Sequence, residues 1–221
     1  MKYPIGIQSF ERIRQDGYAY VDKTREIYQL TSKGKYYFLG RPRRFGKSLL
    51  LSTIEAYYSG RRDLFRGLYI DTVEKEWEVH PILHLDLNTA NYKEPDSLDA
   101  VLNNSLTEWE KLYGAEPSET TAPLRFKGIV ERAAKLTGQK TVILIDEYDK
   151  PLLQNMTNAV QQEHFRNSLK AFYSVLKTQD RYIEFALLTG VTKFSKVSVF
   201  SDLNNLNDIS MDRSYATICG I

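Results

Sequence analysis

The sequence predicts an α/β fold of three layers, with a mainly parallel central sheet between helices. Two observations carry that expectation. Short apolar runs rich in β-formers alternate with longer amphipathic runs, as they do when crossover helices connect parallel strands. One of these runs, Thr141-Val142-Ile143-Leu144-Ile145, has no polar alternation, as expected of a strand covered on both faces in the sheet centre.

In chain order, the first strand is Tyr36-Tyr37-Phe38-Leu39, set off by Gly34. A helix from Lys47 to Tyr58 follows, with Leu50, Ile54, Tyr57 and Tyr58 on one face and Gly60 ending it. Pro81 opens a second strand, Ile82 to Leu87. The next helix spans Asp96 to Tyr113, with Leu98, Val101, Leu102, Ser105, Trp109, Leu112 and Tyr113 at helical spacing and Gly114 just beyond. Another runs from Pro123 to Leu136, with Phe126, Ile129, Val130 and Ala133 inward and Gly138 as the stop. After the 141–145 strand comes a long helix, Ala159 to Thr178, whose inner stripe is Phe165, Leu169, Phe172, Tyr173 and Leu176. A strand from Ile183 to Leu188 leads into Thr189-Gly190. Residues 191–210 read as surface loop with short helical pieces. The apolar stretch Tyr215 to Ile221 is expected either of a chain that continues or of a last sheet strand. The whole reads as one domain over 1–221, with residues 1–35 as its lead-in.

Composition narrows the function. The chain has 221 residues, 42% hydrophobic and 26% charged, the balance of a globular protein. A net charge of +2 argues against a general grip on nucleic acid through this domain. No apolar run approaches the roughly 20 residues that cross a bilayer, and no signal-type segment follows Met1, so a cytoplasmic location is expected. With one cysteine, Cys219, no internal disulfide forms, and its apolar surroundings predict a buried, inert thiol.

The first strand runs into Gly40-Arg41-Pro42-Arg43-Arg44-Phe45-Gly46-Lys47-Ser48-Leu49 and then into a helix. That is the strand–loop–helix setting of a phosphate-binding loop (Walker A), and the binding stretch is taken as Arg41 to Leu49. Gly46 lets the backbone approach phosphates, and N–H groups at the helix start bind anionic oxygens. Lys47 supplies charge for the β and γ phosphates, and Ser48 a hydroxyl for Mg²⁺. Arginine occupies position 41, where the usual pattern has its first glycine. One of Arg41, Arg43 and Arg44 is expected to face the γ phosphate, with Arg44 counted among the catalytic residues.

Asp146 and Glu147 end the apolar strand, where ligands bind in parallel sheets (Walker B). Asp146 is expected to hold Mg²⁺ and Glu147 to deprotonate the attacking water. An acid directly after the metal-binding Asp is similar to the P-loop class with a catalytic glutamate (ASCE). In that class an extra strand lies between the loop strand and the acidic strand, and 183–188 is the candidate. Thr189, together with Thr192 or Lys193, would then stand between the γ phosphate and the acidic pair as a polar sensor, and Thr189 counts with Lys47, Arg44 and Glu147 among the catalytic residues.

Tyr20-Val21-Asp22-Lys23-Thr24, Arg41 to Ser48, Asp146-Glu147-Tyr148-Asp149-Lys150-Pro151 and Leu188-Thr189-Gly190-Val191-Thr192 together resemble the bacterial AAA-ATPase-like family. Arginine at position 41 is usual there. The resemblance implies a P-loop NTPase fold, ATP with Mg²⁺, and similarity to signalling (STAND-like) ATPases that switch an attached effector. It implies a following effector domain, commonly of PD-(D/E)XK nuclease type, and places Asp22 and Lys23 near the base or ribose. Asp149-Lys150-Pro151 reads first as a turn and otherwise as a contributor to the site, and His80, His84 and His164 read as structural. The resulting expectation is a Mg-dependent ATPase switch. The alternatives are a nucleotide-binding scaffold without turnover, a nucleic-acid binder and a metabolite kinase. Oligomeric state stays open.

Overall fold

In the computed structural model, residues 2–192, 199–200, 203 and 205–220 are described. The first turns of chain are α1 (Phe10–Gln15) and α2 (Thr24–Lys33), within the expected lead-in. Then come β1 (Tyr36–Gly40), α3 (Lys47–Tyr58), the short α4 (Arg62–Phe65) and α5 (Tyr69–Val73), and β2 (Ile82–Asp86). They are followed by α6 (Ser97–Tyr113), α7 (Ala122–Thr137), β3 (Thr141–Asp146), α8 (Lys150–Leu153), α9 (Ala159–Thr178), β4 (Ile183–Gly190) and β5 (Asn207–Asp208).

The strands form one all-parallel sheet in the order β2-β3-β4-β1-β5. The 183–190 strand is thus inserted between the loop strand and the acidic strand, as the order of acids had suggested. β3 is interior, flanked by β2 and β4, although the middle position belongs to β4. Pairing Gly40 with Gly190 and Asp86 with Asp146 brings the carboxyl ends of four strands to one edge.

Side-chain parity along each strand builds the two helical layers. Phe38, Ile143, Ile145, Ala186 and Leu188 face α6, α7 and α9 in one core. Tyr37, Leu39, Val142, Leu144, Phe185 and Leu187 face α2 and α3 in the other. A third cluster joins α1, α4 and α5 beside α3 through Phe10, Leu64, Phe65 and Ile70.

Three expectations are corrected. On α6 the buried stripe is Leu98, Leu102, Leu106 and Trp109, whereas Leu112 is 68% exposed. Spacing from Trp109 put Leu112 inward, but α7 meets α6 through Asn103, Thr107, Trp109 and Glu110 and leaves Leu112 uncovered. In the stretch expected to be surface loop, Val199, Phe200 and Leu203 are buried against Phe38, Tyr148 and Tyr173, and Asn207–Asp208 pairs with β1. A strand of two polar residues carries no alternation for the sequence to reveal. Finally, the described part of the 215–221 stretch forms turns rather than a strand, with Tyr215, Ile218 and Cys219 buried on the α2–α3 side.

Candidate functional site

β1 ends at the edge of the sheet where the chain must turn sharply to enter α3. Gly46 makes that turn as the left-handed N-cap of α3, at φ 83°. Lys47 therefore lies in the first turn of α3, and its side chain is only 3% exposed. Its ammonium donates to the carbonyls of Arg41 (3.1 Å) and Pro42 (3.2 Å) and pairs with Glu147 Oε1 at 3.0 Å.

Asp146 continues the parity of Val142 and Leu144, so its carboxylate faces α3. Ser48 Oγ donates to its Oδ2 at 2.6 Å and Thr189 Oγ1 to its Oδ1 at 2.5 Å. Thr189 shares the parity of Phe185 and Leu187 on the neighbouring strand, which is why its hydroxyl arrives beside the acid. Glu147 has the opposite parity and would point away if the strand continued. Its φ of 54° breaks the strand and leaves its carboxylate beside Lys47. Arg44, at φ 65°, and Glu147 are the two non-glycine residues with left-handed backbone among the described residues. Such strain costs on the order of 1–3 kcal/mol and gathers where function needs it.

The arginines separate. Arg41 donates its guanidinium to the carbonyls of Ser210, Gly40 and Tyr215, while Gly40 N–H donates to Ser210 Oγ at 2.8 Å. Arginine at this position thus ties the loop to residues 210–215. Pro42, Arg43, Arg44 and Phe45 are exposed, and Leu49 is half-buried against the α1 cluster.

One residue of this edge reads from the sequence first as a turn and second as a contributor to the site. Asp149, which reads as part of a turn and does sit in one, is wholly buried. Its carboxylate accepts from Val191 N (3.1 Å), Thr192 N (2.7 Å) and Thr192 Oγ1 (2.8 Å). Tyr148 adds a hydroxyl bond to Thr192 O at 2.8 Å, and Tyr148 N–H donates to Thr189 O at 2.9 Å. The loop carrying the acids and the end of β4 are therefore one hydrogen-bonded block. Gly190 permits it: a Cβ there would lie 2.4 Å from the Tyr148 ring and 2.8 Å from Asp149 Oδ1. Of the proposed sensors, Thr189 meets Asp146 and Thr192 meets Asp149, while Lys193 lies outside the described residues.

Asp22 caps the start of α2, accepting from Thr24 N and Oγ1, and its other oxygen accepts from Tyr69 N. His80 Nδ1 meets Lys140 O, His84 Nδ1 meets Glu55 Oε2, and His164 is exposed on α9. Burial favours the neutral His84 ring, but the Glu55 carboxylate outweighs it, with help from Asp146 and Asp86, and holds the pKa above its ordinary value.

Among the described residues no cluster of His, Cys, Asp or Glu could hold a metal unaided. Ser48 Oγ and Asp146 Oδ2, 2.6 Å apart, nevertheless fit Mg²⁺. Both are hard oxygens, the ligand type Mg²⁺ takes, and they would hold the ion directly or through water.

Residues 4–200 match the sequence profile of the AAA-ATPase-like family, described as "Predicted AAA-ATPase". The chain belongs to this predicted AAA-ATPase family. A relative from Azotobacter chroococcum mcd 1, named "Uncharacterized protein in vnfD 5'region", is 43% identical over 223 residues. That alignment takes in 99% of this chain but 43% of the relative, so the chain spans less than half of the relative's length. No solved structure gives a significant match. Among the described residues no helix is long and apolar enough to cross a membrane.

Proposed function

We propose that this AAA-ATPase-like chain binds ATP with Mg²⁺ at the carboxyl edge of the sheet and hydrolyses it as a switch. The observation that carries the reading is the convergence of Lys47, Ser48, Asp146, Glu147 and Thr189, from the ends of two strands and one helix start, within direct hydrogen-bonding distance. Family membership supports it.

In this reading the Lys47 ammonium transfers from the loop carbonyls and Glu147 to the β and γ phosphates. Exposed Arg43 and Arg44 supply further charge there, with Arg44 the one assigned to catalysis, and the backbone N–H groups from Arg43 to Leu49 line the phosphates, since Pro42 has none and that of Arg41 is held by the Gly190 carbonyl. Ser48 and Asp146 are the residues that would hold Mg²⁺, which supplies charge neutralisation on the triphosphate. Glu147, released from Lys47, accepts the proton of the attacking water. Thr189 orients Asp146, so it acts as a positioning residue. In this reading, by the family resemblance alone, an effector domain, nuclease-like or other, reads the nucleotide state.

The test compares wild type with Lys47→Ala and Glu147→Gln for MgATP affinity and phosphate release. Loss of the Lys47 charge should weaken binding about 10- to 100-fold, as expected for a charged hydrogen bond. Glu147→Gln should bind MgATP but release phosphate about 100-fold more slowly or worse. Equal turnover by wild type and Glu147→Gln would overturn the enzymatic assignment and leave a nucleotide-binding scaffold.

A further inference from the structure

A cavity of about 220 Å³ lies at the end of α3 remote from the 41–46 loop. Glu74, Glu76, Glu78 and Glu184 line it with Tyr57, Tyr58 and His80, and neither Lys nor Arg is among its lining residues. Glu74, Glu76 and Glu78 alternate along an extended segment, which puts them on one side of the chain about 6–7 Å apart. That segment is tied to the end of α3: Ser59 bridges Val79, and His80 N–H donates to Tyr58 O at 2.8 Å. Glu74 is fixed in place, accepting from the Tyr57 hydroxyl with one oxygen and from the Lys75 and Glu76 N–H groups with the other. Glu184 arrives through a bulge. Thr141 pairs with Ile183 but Val142 with Phe185, so Glu184 is an extra residue in β4, where the local kink re-aims a side chain. Among the described residues the four carboxylates make only long ion-pair contacts, Glu184 with Lys140 at 3.7 Å and Glu78 with His80 Nε2 at 3.5 Å.

Tyr58 gives a separate sign of a ligand. It is only 6% exposed, set edge-on to His80 and against Phe185, with ring centroids 5.2 and 5.5 Å away. Its hydroxyl has no hydrogen-bond partner among the described residues. Burial holds its pKa above the ordinary value, and Tyr57, Glu184 and Glu74 add to this, which places the hydroxyl on the side of the acidic cavity. A buried hydroxyl left without a partner is unfavourable, and a bound donor removes that defect.

We propose that this cavity binds a linear aliphatic polyamine, with its ammonium groups spread over the carboxylates and one of them donating to Tyr58 Oη. The lining chooses the charge. An all-acidic wall on a chain of net charge +2 is a local attraction for cations, not a property of the whole surface. The spacing of the acids chooses the shape. Among the described residues no three acids or histidines converge where a metal ion could sit, so a compact divalent cation finds no ligand shell here. Charges strung along a flexible chain instead match carboxylates strung along an extended segment. The Tyr57 and Tyr58 rings, with centroids 5.0 Å apart, offer faces to ammonium and methylene groups. The volume is below that of a pocket for a drug-sized ligand and suits a slender one. No residue of the cavity belongs to the 41–48 loop or to the acids after β3, so the site stands or falls apart from nucleotide binding.

Calorimetric titration of the chain with spermidine, at low salt and without nucleotide or magnesium, tests this. One spermidine should bind per chain. Glu184→Gln should weaken binding about 10-fold or more, as expected on losing a charged hydrogen bond. Tyr58→Phe should weaken it about 3- to 10-fold, while the melting temperature of the unliganded protein stays level or rises, because the hydroxyl removed has no partner in the fold. That pairing separates loss of a ligand contact from loss of structure. Equal spermidine affinity in wild type and both variants would make the attraction a general one and overturn the site. Magnesium chloride that displaces spermidine more effectively than sodium chloride of equal ionic strength would overturn the polyamine assignment in favour of a divalent cation. A pentalysine peptide that binds more tightly than spermidine would overturn it in favour of a basic segment of another protein. Absence of spermidine binding would overturn the proposal outright.

Discussion

Asp149 has no exposed surface, and three donors from residues 191–192 converge on its carboxylate. Charged hydrogen bonds of this kind are worth about 1.5–3 kcal/mol each when buried. What they hold is the register between the acidic loop and the end of β4, and with it the approach of Thr189 to Asp146. Asp149→Asn keeps the shape but loses the charge and one acceptor. In steady-state assays it is expected to lower kcat about 10- to 100-fold while MgATP affinity stays within about threefold. An unchanged kcat would show that the block has no part in turnover. The sequence offered a turn at this position, because Asp-Lys-Pro is ordinary turn chemistry, and burial by residues some 40 positions later leaves no local trace.

Elements succeed or fail by how much of their pattern is local. α9 matches its expected span, Ala159–Thr178, and all five residues of its expected stripe are buried. Twenty residues sample the helical period more than five times, so noise in single positions averages out. α6 was placed equally well, and Leu98, Leu102 and Trp109 of its expected stripe are buried, but Leu112 fits the period from Trp109 and is left exposed, since packing decides how wide the covered stripe is. Stability should follow the observed burial. Phe172 stacks on Phe126 of α7, with ring centroids 4.3 Å apart and planes 4° from parallel. Phe172→Ala is expected to cost about 3–5 kcal/mol in urea unfolding. Leu112→Ala should stay within about 0.5 kcal/mol. A large loss at Leu112 would show that its exposed side has a partner in solution.

At the scale of the whole molecule, the edge strand β2 is joined to α3, the helix that follows the 41–46 loop, by the His84–Glu55 pair, at 2.8 Å. The folded-state pKa of His84 is raised above an unfolded value of about 6.5, so the pair's contribution is fully present below that pH. As pH rises through the folded-state value, that contribution is lost. Thermal melts of wild type should therefore fall relative to His84→Gln as pH increases from about 6.5 upward. A constant difference between the two proteins across that window would remove the pair from the stability of the fold.

The sequence by itself determined the layer architecture, the helix and strand spans of the main elements, the inserted strand and the positions of the 40–48 loop and the acids after β3 at one sheet edge. These are properties of periodicity and of short contiguous motifs, which covalent geometry converts into structure with little outside help. Only the tertiary structure decided who meets whom: Arg41 with residues 210–215, Asp149 with Val191 and Thr192, Asp22 with Tyr69, and Phe45 and Tyr20 across a shared cavity. Such pairings depend on the relative register of strands and turns tens of residues apart. A hydrogen-bonding side chain has the same local signature whether its partner is water or a buried amide.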